Sequence, residues 1–242
     1  MTQLHIGVSP HRGALFLAKI LPKFNEAFPQ VKLVVHEGYA LQLKELLAQG
    51  KVDYVITGLP SENEQEFRTL PLHNEEVVLG VPSYHRIAKN YTGSIDCLPY
   101  IDLAELKDSY FVMPELPSTL YQVIKPLFER AGFQPLSAFA SANIVMAEAM
   151  IRSGVGIGFL PASYMRPGKD VVYYRLYQPV YMASSVLMRK GHEMSKAERY
   201  LTFLQLQVNS LNPHYHMDWS DTILAIVREF DYTHYFEPYM EL

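Results

Sequence analysis

The sequence predicts an α/β fold in which parallel strands form two lobes. One observation behind this prediction is a regular alternation of strand and helix patterns over residues 1–60. Another is a similar alternation over residues 110–161, although the two stretches share no alignable repeat. Strands that alternate with helices pair in parallel through right-handed crossovers, so each stretch predicts a sheet covered by helices. Two such units of similar size predict two lobes with a cleft between them.

The first alternation begins with a short apolar strand, residues 4–8, that ends at Ser9. The Ser9 hydroxyl can accept a hydrogen bond from a free amide of the first helical turn, and Pro10 suits the first helical position because it lacks an N–H. The predicted elements that follow are a helix with apolar residues at helical spacing up to Phe28, a strand at 31–35, a helix ended by Gly50 and a strand at 52–57. This order is strand, helix, strand, helix, strand.

The middle and the end of the chain repeat this theme. Two extended segments, 67–72 and 75–81, are followed by a polar connection that runs to Tyr100. The second lobe is predicted to consist of a strand at 110–113, a helix at 118–131 capped by Gly132, a strand at 137–140, a helix beginning at Asn143 and a strand at 156–160 that stops at Pro161. Two further strands, 171–176 and 180–188, and a helix at 195–211 complete the predicted domain.

The ends of the first three strands predict a binding site, because ligands of such sheets bind beyond the carboxyl ends of the strands. The residues there are Ser9, Gly38, Tyr39, Thr57 and Gly58. The free amides at the start of the first helix favour a small anion at this edge, and His11 and Arg12 follow directly. The alternative is that Ser9 and Pro10 only begin a helix.

Composition excludes several classes of protein. A chain that is 49% hydrophobic and 19% charged is typical of a folded globular protein. A net charge of −4 argues against direct binding of nucleic acid, which needs clustered positive charge. Cys97 is the single cysteine, so neither an internal disulfide nor a cysteine-based zinc site is expected. Because no segment has the character of a signal peptide or a membrane span, we expect a cytoplasmic protein without membrane contact.

Two patterns imitate cofactor or metal sites. Gly154, Gly156 and Gly158 resemble a dinucleotide-binding loop, but they follow a predicted helix and lead into a strand, which reverses the fingerprint. We interpret them as a helix stop followed by tight packing. His214 and His216 have a short metal-like spacing, yet a solvated loop explains them better. We therefore predict neither a cofactor nor a bound metal.

The sequence does not predict an enzyme. Ser9 and His11 are not a nucleophile–base pair on sequence grounds, because no acid that would orient the histidine is identifiable. A Gly-x-Ser-x-Gly elbow is also missing. An enzymatic function is therefore the least favoured interpretation, and turnover in a screen of metabolites would be needed to support it.

Residues 212–242 contain a further amphipathic helix. Its apolar positions recur on one face, at Trp219, Ile223, Ile226, Val227 and Phe230. An unusually aromatic tail follows, with Tyr232, Tyr235, Phe236 and Tyr239. Two interpretations stay open at this point. The helix packs on its own lobe, or it contacts another chain, since aromatic residues are enriched at interface cores.

A series of short motifs, spread in order over residues 3–211, is similar to those of one known family. The motifs of the first half are Ile6-Gly7-Val8-Ser9, Leu21-Pro22-Lys23-Phe24, Phe28-Pro29, Val31-Lys32-Leu33, Glu37-Gly38, the leucines of 43–47, Gly50, Asp53, Pro71-Leu72 and the segment 77–82 before His85. A Gly-rich segment follows at Gly154-Val155-Gly156-Ile157-Gly158-Phe159-Leu160-Pro161. In this order the motifs resemble the effector-binding domain of LysR-type transcriptional regulators.

The resemblance implies two Rossmann-like lobes joined by two crossover strands, a type 2 periplasmic-binding-protein-like fold. Lobe I would hold residues 1–82 and 163–211, lobe II would hold residues 83–162, and residues 212–242 would form a C-terminal extension. The winged helix-turn-helix that precedes this domain in the family has no counterpart here. The chain is therefore expected to be either a piece of a regulator or a stand-alone sensor.

By the same resemblance, a small organic effector with a carboxylate or another polar group binds in the cleft. The implied contacts from lobe I are Ser9, Pro10, His11, Arg12, Gly38, Tyr39, Thr57 and Gly58. Those from lobe II are Met113, Pro114, Glu115, Ala142, Asn143, Ile144, Phe159 and Pro161. Tyr39 is bulky for a carboxylate site. The charge of Glu115 favours an effector with an amino group, or an anion partly neutralised by Arg12.

The resemblance also implies a function, that of the effector-sensing and oligomerisation domain of a transcriptional regulator. Such a domain forms homodimers or homotetramers, and the effector shifts their geometry. DNA is contacted only through the missing N-terminal domain. The alternative is a stand-alone cytoplasmic solute-binding module without DNA output. The reading frame upstream of Met1 distinguishes the two.

Overall fold

The computed structural model describes residues 2–60, 66–89, 91, 94–116, 118–231 and 236, with the backbone alone at 10–12, 14–15 and 59–60. In chain order the elements are β1 (Thr2–Val8), α1 (Pro10–Ala27), β2 (Val31–Glu37), α2 (Ala40–Ala48), β3 (Tyr54–Pro60), β4 (Arg68–Pro82), β5 (Tyr100–Ile101), β6 (Tyr110–Pro114), α3 (Thr119–Ala131), β7 (Leu136–Ser141), α4 (Ile144–Arg152), β8 (Ile157–Pro161), β9 (Val171–Leu176), β10 (Tyr181–Met188), α5 (Lys196–Ser210), β11 (Tyr215–Met217) and α6 (Asp221–Phe230). Short 3₁₀ helices lie at Leu103–Leu106 and Ala162–Tyr164. Among the described residues, none of the helices combines the length and apolar character needed to span a membrane.

Contacts between residues divide the chain into two compact units. The first unit holds Met1–Asn74 and Ala183–Leu242, and the second unit holds Glu75–Met182. The chain passes from the first unit to the second within β4 and returns within β10. The division into lobes inferred from the sequence differs, because it assigns residues 75–82 and 163–182 to lobe I, and it stays a prediction.

In the first unit, β2, β1 and β3 are parallel neighbours, and β10 lies next to β3. The register pairs Val8 with Glu37 on one side and with Ile56 on the other. Side chains alternate between the two faces of a strand, and Leu4, Ile6 and Val8 enter a core formed with α1, α5 and α6. Parallel strands joined by helices are what the alternation in the sequence predicted.

In the second unit, β4, β8, β6 and β7 are neighbours in that order, and β6 is parallel to both β7 and β8. β4 runs antiparallel to β8 and to β9, and β5 pairs with β9 in parallel. The core contains Phe128, which meets Phe111 and Phe159 edge to face. At Gly156 a Cβ atom would lie 2.6 Å from the carbonyl oxygen of Tyr110. The tight packing predicted for the Gly-rich segment is therefore confirmed.

β4 is one strand of 15 residues, where the sequence predicted two separate segments. The apolar pattern is interrupted at His73 and Glu75, but both side chains are buried. His73 stacks on Tyr215 with the ring centroids 3.8 Å apart, and Glu75 accepts a hydrogen bond from the amide of Ser163 at 3.3 Å. Buried polar groups that find partners elsewhere in the chain can continue a strand, and periodicity does not show such partners.

The C-terminal helix α6 packs on its own unit. Its buried residues, all in the core shared with α1 and α5, are Ile223, Ile226, Val227 and Phe230. Beyond it, Phe236 is fully buried against Phe203 and Trp219. The other aromatic residues of the tail lie outside the described residues, namely Tyr232, Tyr235 and Tyr239. Packing within the first unit, the first of the two interpretations, thus accounts for the apolar stripe.

Candidate functional site

The carboxyl ends of β1, β2 and β3 meet at one edge of the first unit. The amide of Ser9 donates to the carbonyl of Ile56 at 3.2 Å, and the amide of Gly38 donates to the carbonyl of Val8 at 3.2 Å. These hydrogen bonds continue the parallel ladder by one residue beyond the strands. Ser9, Gly38 and Thr57 therefore lie next to one another, as the sequence placed them.

Ser9 is the N-cap of α1, but it does not cap the helix with its side chain. Its backbone is extended, with φ −69° and ψ 140°, and its carbonyl accepts the first helical hydrogen bond from Gly13 at 2.8 Å. Within the described part of the chain, the Ser9 hydroxyl makes no capping hydrogen bond. The sequence-based prediction of a hydroxyl cap is therefore wrong. The amide groups of the first turn keep their capacity to bind an anion, which the helix dipole favours.

At the two neighbouring strand ends, Thr57 and Tyr39 make hydrogen bonds within the chain. Thr57 is 1% exposed, and its hydroxyl lies 3.4 Å from the carbonyl of Gly58. Tyr39 is the N-cap of α2, and its amide donates to the side-chain oxygen of Gln42 at 3.1 Å. Gln42 was not selected from the sequence, although a glutamine three residues after an N-cap is part of the capping-box pattern.

Three of the predicted contacts are placed only by their backbone. Pro10, His11 and Arg12 form the first turn of α1, directly after Ser9. Their side chains lie outside the described residues. The role proposed for their side chains thus stays a prediction from the sequence.

In the second unit, the carboxyl ends of β6 and β7 form a similar edge. Pro114 is paired with Ser141, and the amide of Glu115 donates to the carbonyl of Ser141 at 3.3 Å. The side-chain oxygen of Asn143 accepts from the amides of Val145 at 3.0 Å and Met146 at 3.2 Å. The edge thus brings together the predicted residues Met113, Pro114, Glu115, Ala142, Asn143 and Ile144. The side chain of Asn143 therefore caps the N-terminus of α4.

Two other predicted contacts in this unit lie within its interior. Phe159 is 2% exposed and packs against Phe128 with the ring centroids 5.8 Å apart. Pro161 is buried at the end of β8 opposite Val77. The ring of Phe159 therefore belongs to the core.

Comparison with known proteins identifies the family. The family model described as the LysR substrate binding domain matches residues 1–207. The chain belongs to this family, as the ordered motifs indicated. It is the effector-binding domain of a LysR-type regulator, and its relatives are transcriptional regulators rather than enzymes.

The relatives and solved structures agree with this assignment. The chain is 30% identical over 207 residues to the DNA-binding transcriptional dual regulator OxyR of Escherichia coli K12, covering 81% of this chain and 65% of that protein. It is similar to the crystal structure of the reduced form of OxyR, with 25% identity, a TM-score of 0.65 and coverage of 85% and 94% of the two chains. The effector binding domain of QuiR in complex with shikimate has the same fold, with 18% identity, a TM-score of 0.65 and coverage of 86% and 97%. The chain spans less than two thirds of the length of the curated relative OxyR from Escherichia coli K12.

Proposed function

We propose that the protein senses a small organic effector that carries a carboxylate, and that this effector binds at the strand ends of the two units. The observation that carries the proposal is the N-terminus of α1, which lies beside Ser9, Gly38 and Thr57 and has no side-chain cap among the described residues. Uncapped amides at the positive end of a helix dipole attract an anion. The QuiR domain, which has the same fold, is complexed with shikimate, a carboxylate.

The second unit is proposed to contribute orientation and selectivity. Glu115 is exposed at its strand edge, and Asn143 is held in place by the two amides that its side chain accepts from. The carboxylate of Glu115 lies at this edge. It favours an effector that has its own carboxylate at one end and an amino or hydroxyl group at the other end. In this proposal the effector occupies the cleft between the lobes that was predicted from the sequence.

Effector binding is proposed to act on the arrangement of a homodimer or homotetramer. A ligand shifts such an equilibrium only by as much as its affinity differs between the two arrangements. The DNA response would then require a DNA-binding domain, as the name of the DNA-binding regulator OxyR implies for that relative, in a cytoplasmic regulator. The alternative, a solute-binding module without DNA output, is tested by the reading frame upstream of Met1.

Relatives that are also 30% identical over 207 residues are named hydrogen peroxide-inducible genes activators, but a response to peroxide is less favoured by the residues of this chain. Peroxide acts on proteins mainly by oxidising thiolates, and a sulfenic acid condenses with a second thiol to form a disulfide. Cys97 is the single cysteine of the 242 residues, and it is exposed. A disulfide between two cysteines of these residues is therefore impossible, which favours a bound organic effector.

A thermal-shift screen of small carboxylates and amino acids tests the proposal. A ligand at 100 times its Kd stabilises the folded state by about 2.7 kcal/mol, which raises the Tm by about 5–10 °C for a chain of this size. Loss of one hydrogen bond to a charged group costs about 1.5 kcal/mol, so Ser9→Ala should reduce that shift by about half.

The matched control is Ser220→Ala. Ser220 is also a serine N-cap without a side-chain cap in the described structure, but it begins α6, which follows β11 and not β1, β2 or β3. Ser220→Ala should leave the ligand-induced shift unchanged. If Ser9→Ala and Thr57→Ala both retain the full shift, the site does not lie at this edge.

A further inference from the structure

Two histidines of the first unit face each other on neighbouring strands. In the parallel register of β1 and β2, His5 is opposite Val34 and His36 is opposite Gly7. Because paired residues and every second residue share a face, both histidine rings project from the same side of the sheet. The ring nitrogens Nδ1 of His5 and Nε2 of His36 lie 3.1 Å apart.

This separation fits two ligands of one metal ion. Imidazole nitrogens bind zinc at about 2.0–2.1 Å. Two nitrogens 3.1 Å apart can both lie at that distance from one ion, with an angle at the ion of about 95–100°. Such an angle is near that of the tetragonal or octahedral complexes that Ni²⁺ and Cu²⁺ prefer, and it is also accessible to Zn²⁺. The two ring planes are inclined by 30°, and both rings would have to rotate about their Cβ–Cγ bonds to direct their lone pairs to one ion.

The contact on the far side of His5 bears on which ring nitrogen carries the hydrogen. Nε2 of His5 lies 3.2 Å from the amide oxygen of Gln3, which can only accept a hydrogen bond. With Gln3 as the acceptor, Nε2 of His5 donates in the neutral ring, and Nδ1 accepts from Nε2–H of His36, a hydrogen bond that a metal ion would replace. Metal-binding histidines commonly donate their other N–H to an oxygen in this way, which orients the ring.

Both histidines keep part of their surface exposed, so water would supply the remaining ligands of the ion. Both histidines are half-buried, on the face that α2 covers through the contact of Leu43 with Gly7. The amide of Asp53 donates to the carbonyl of His5 at 2.9 Å, but its carboxylate is bound to Arg189 at 3.0 Å. No group of three or more metal-binding side chains occurs among the described residues, so the protein would supply two ligands here.

We propose that His5 and His36 form a two-histidine site for a divalent transition metal ion, with Gln3 orienting His5. Binding would tie the strand β2 to β1 and stabilise the first unit, because a ligand that binds only the folded state raises its stability. The proposal is independent of the effector site, which lies at the carboxyl ends of the same strands.

Calorimetric titration of the untagged chain with NiCl₂, and then with ZnCl₂, tests the proposal. One ion should bind per chain. His5→Gln and His36→Gln should each reduce the affinity by more than about tenfold, and Gln3→Ala should reduce it less, as expected for an orienting residue. His216→Gln is the control, since His216 is exposed in β11 and belongs to the His214 and His216 spacing that imitates a metal site.

A second measurement needs no variant. Substoichiometric Ni²⁺ is paramagnetic and should first broaden the backbone NMR signals around the pair, those of residues 3–7, 34–36 and 53. Unchanged affinity in His5→Gln or His36→Gln, loss of binding in His216→Gln, or broadening centred elsewhere would each overturn the proposal. In that case the two rings share only a hydrogen bond.

Discussion

Helices α1 and α4 begin in the same way but differ in what occupies their N-termini. Each follows directly on a parallel strand, β1 in the first unit and β7 in the second. In α4, the side chain of Asn143 accepts from two amides of the first turn, whereas the Ser9 hydroxyl makes no such bond to α1 within the described residues. A helix N-terminus attracts a ligand most where the chain does not satisfy it, so the anion is expected at α1.

The two units also differ in how their cores are completed. The second unit is one continuous stretch of chain, Glu75–Met182. The first unit takes α5 and α6 from the end of the chain, and Ile223 and Val227 of α6 are fully buried in its core. The first unit therefore depends on residues beyond the segment 1–207 that the family model matches.

The largest expected effect comes from opening that core. Ile223→Ala should destabilise the protein by about 2–5 kcal/mol, since it removes a fully buried branched side chain and leaves a cavity. Urea unfolding followed by the fluorescence of Trp219, the single tryptophan, reports on the first unit. Thr222→Ala, at an exposed position of the same helix, should stay within about 0.5 kcal/mol of the parent. A loss for Ile223→Ala as small as that of the control would mean that α6 is not part of the core.

The next effect tests the cap in the second unit. Asn143→Ala should cost about 0.5–2 kcal/mol, because two amides of α4 lose their acceptor. Urea unfolding followed by far-ultraviolet circular dichroism measures this loss. Stability equal to that of the parent would show that the cap contributes nothing and that the two helix starts are alike.

Ser9→Ala should change stability by less than about 0.5 kcal/mol, since there is no side-chain cap to lose. The same unfolding measurement applies, with Asn143→Ala as the comparison. A cost as large as that of Asn143→Ala would mean that the Ser9 hydroxyl serves the helix, and the distinction between the two units would fail.

The smallest expected effect is a difference between the two units in how their stability depends on pH. Burial lowers the pKa of His85 in the second unit below 6.5, and the charge of Arg86 lowers it further. The unfolded chain then takes up this proton at higher pH than the folded chain, so the second unit should lose stability as the pH falls below about 6.5. His85→Gln should remove this loss in urea unfolding measured at pH 7 and pH 5.5. The same loss in His85→Gln and in the parent would assign it to another group.

Glu229 should give the first unit a response in more acidic solution. A hydrogen bond from Arg199 lowers the pKa of Glu229 below 4.5, with the two side chains 2.6 Å apart. Stability from this pair is therefore present above pH 4.5 and is lost as the pH falls through the folded-state pKa of Glu229. The Trp219 transition should shift in this range in the parent and less in Glu229→Gln.

Local signals explain why much of the fold was predictable. The chain turns into α1 at Ser9 and Pro10, α3 ends at Gly132 with φ 75°, and α4 begins at Asn143, all as the sequence indicated. Each of these features depends on residues within one helical turn. The strand ends of each unit could be placed together because parallel strands end at a common edge.

Long-range contacts explain what could not be predicted. The continuity of β4 depends on Tyr215 and Ser163, which are far from His73 and Glu75 in the chain. The burial of Phe159 depends on Phe128. None of these pairs has a local pattern that predicts its contact.

The sequence by itself determined the alternation of strands and helices, the position of Ser9 at the end of the first strand, and membership of the family. The first two follow from periodicity and from turn and cap residues, which are properties of neighbouring residues, and the third follows from the order of short motifs along the chain. Only the tertiary structure decided that the Ser9 hydroxyl leaves α1 uncapped, that α6 closes the first unit, and that His5 faces His36. The physical reason is that a side chain selects among its possible partners only when distant segments have packed against it.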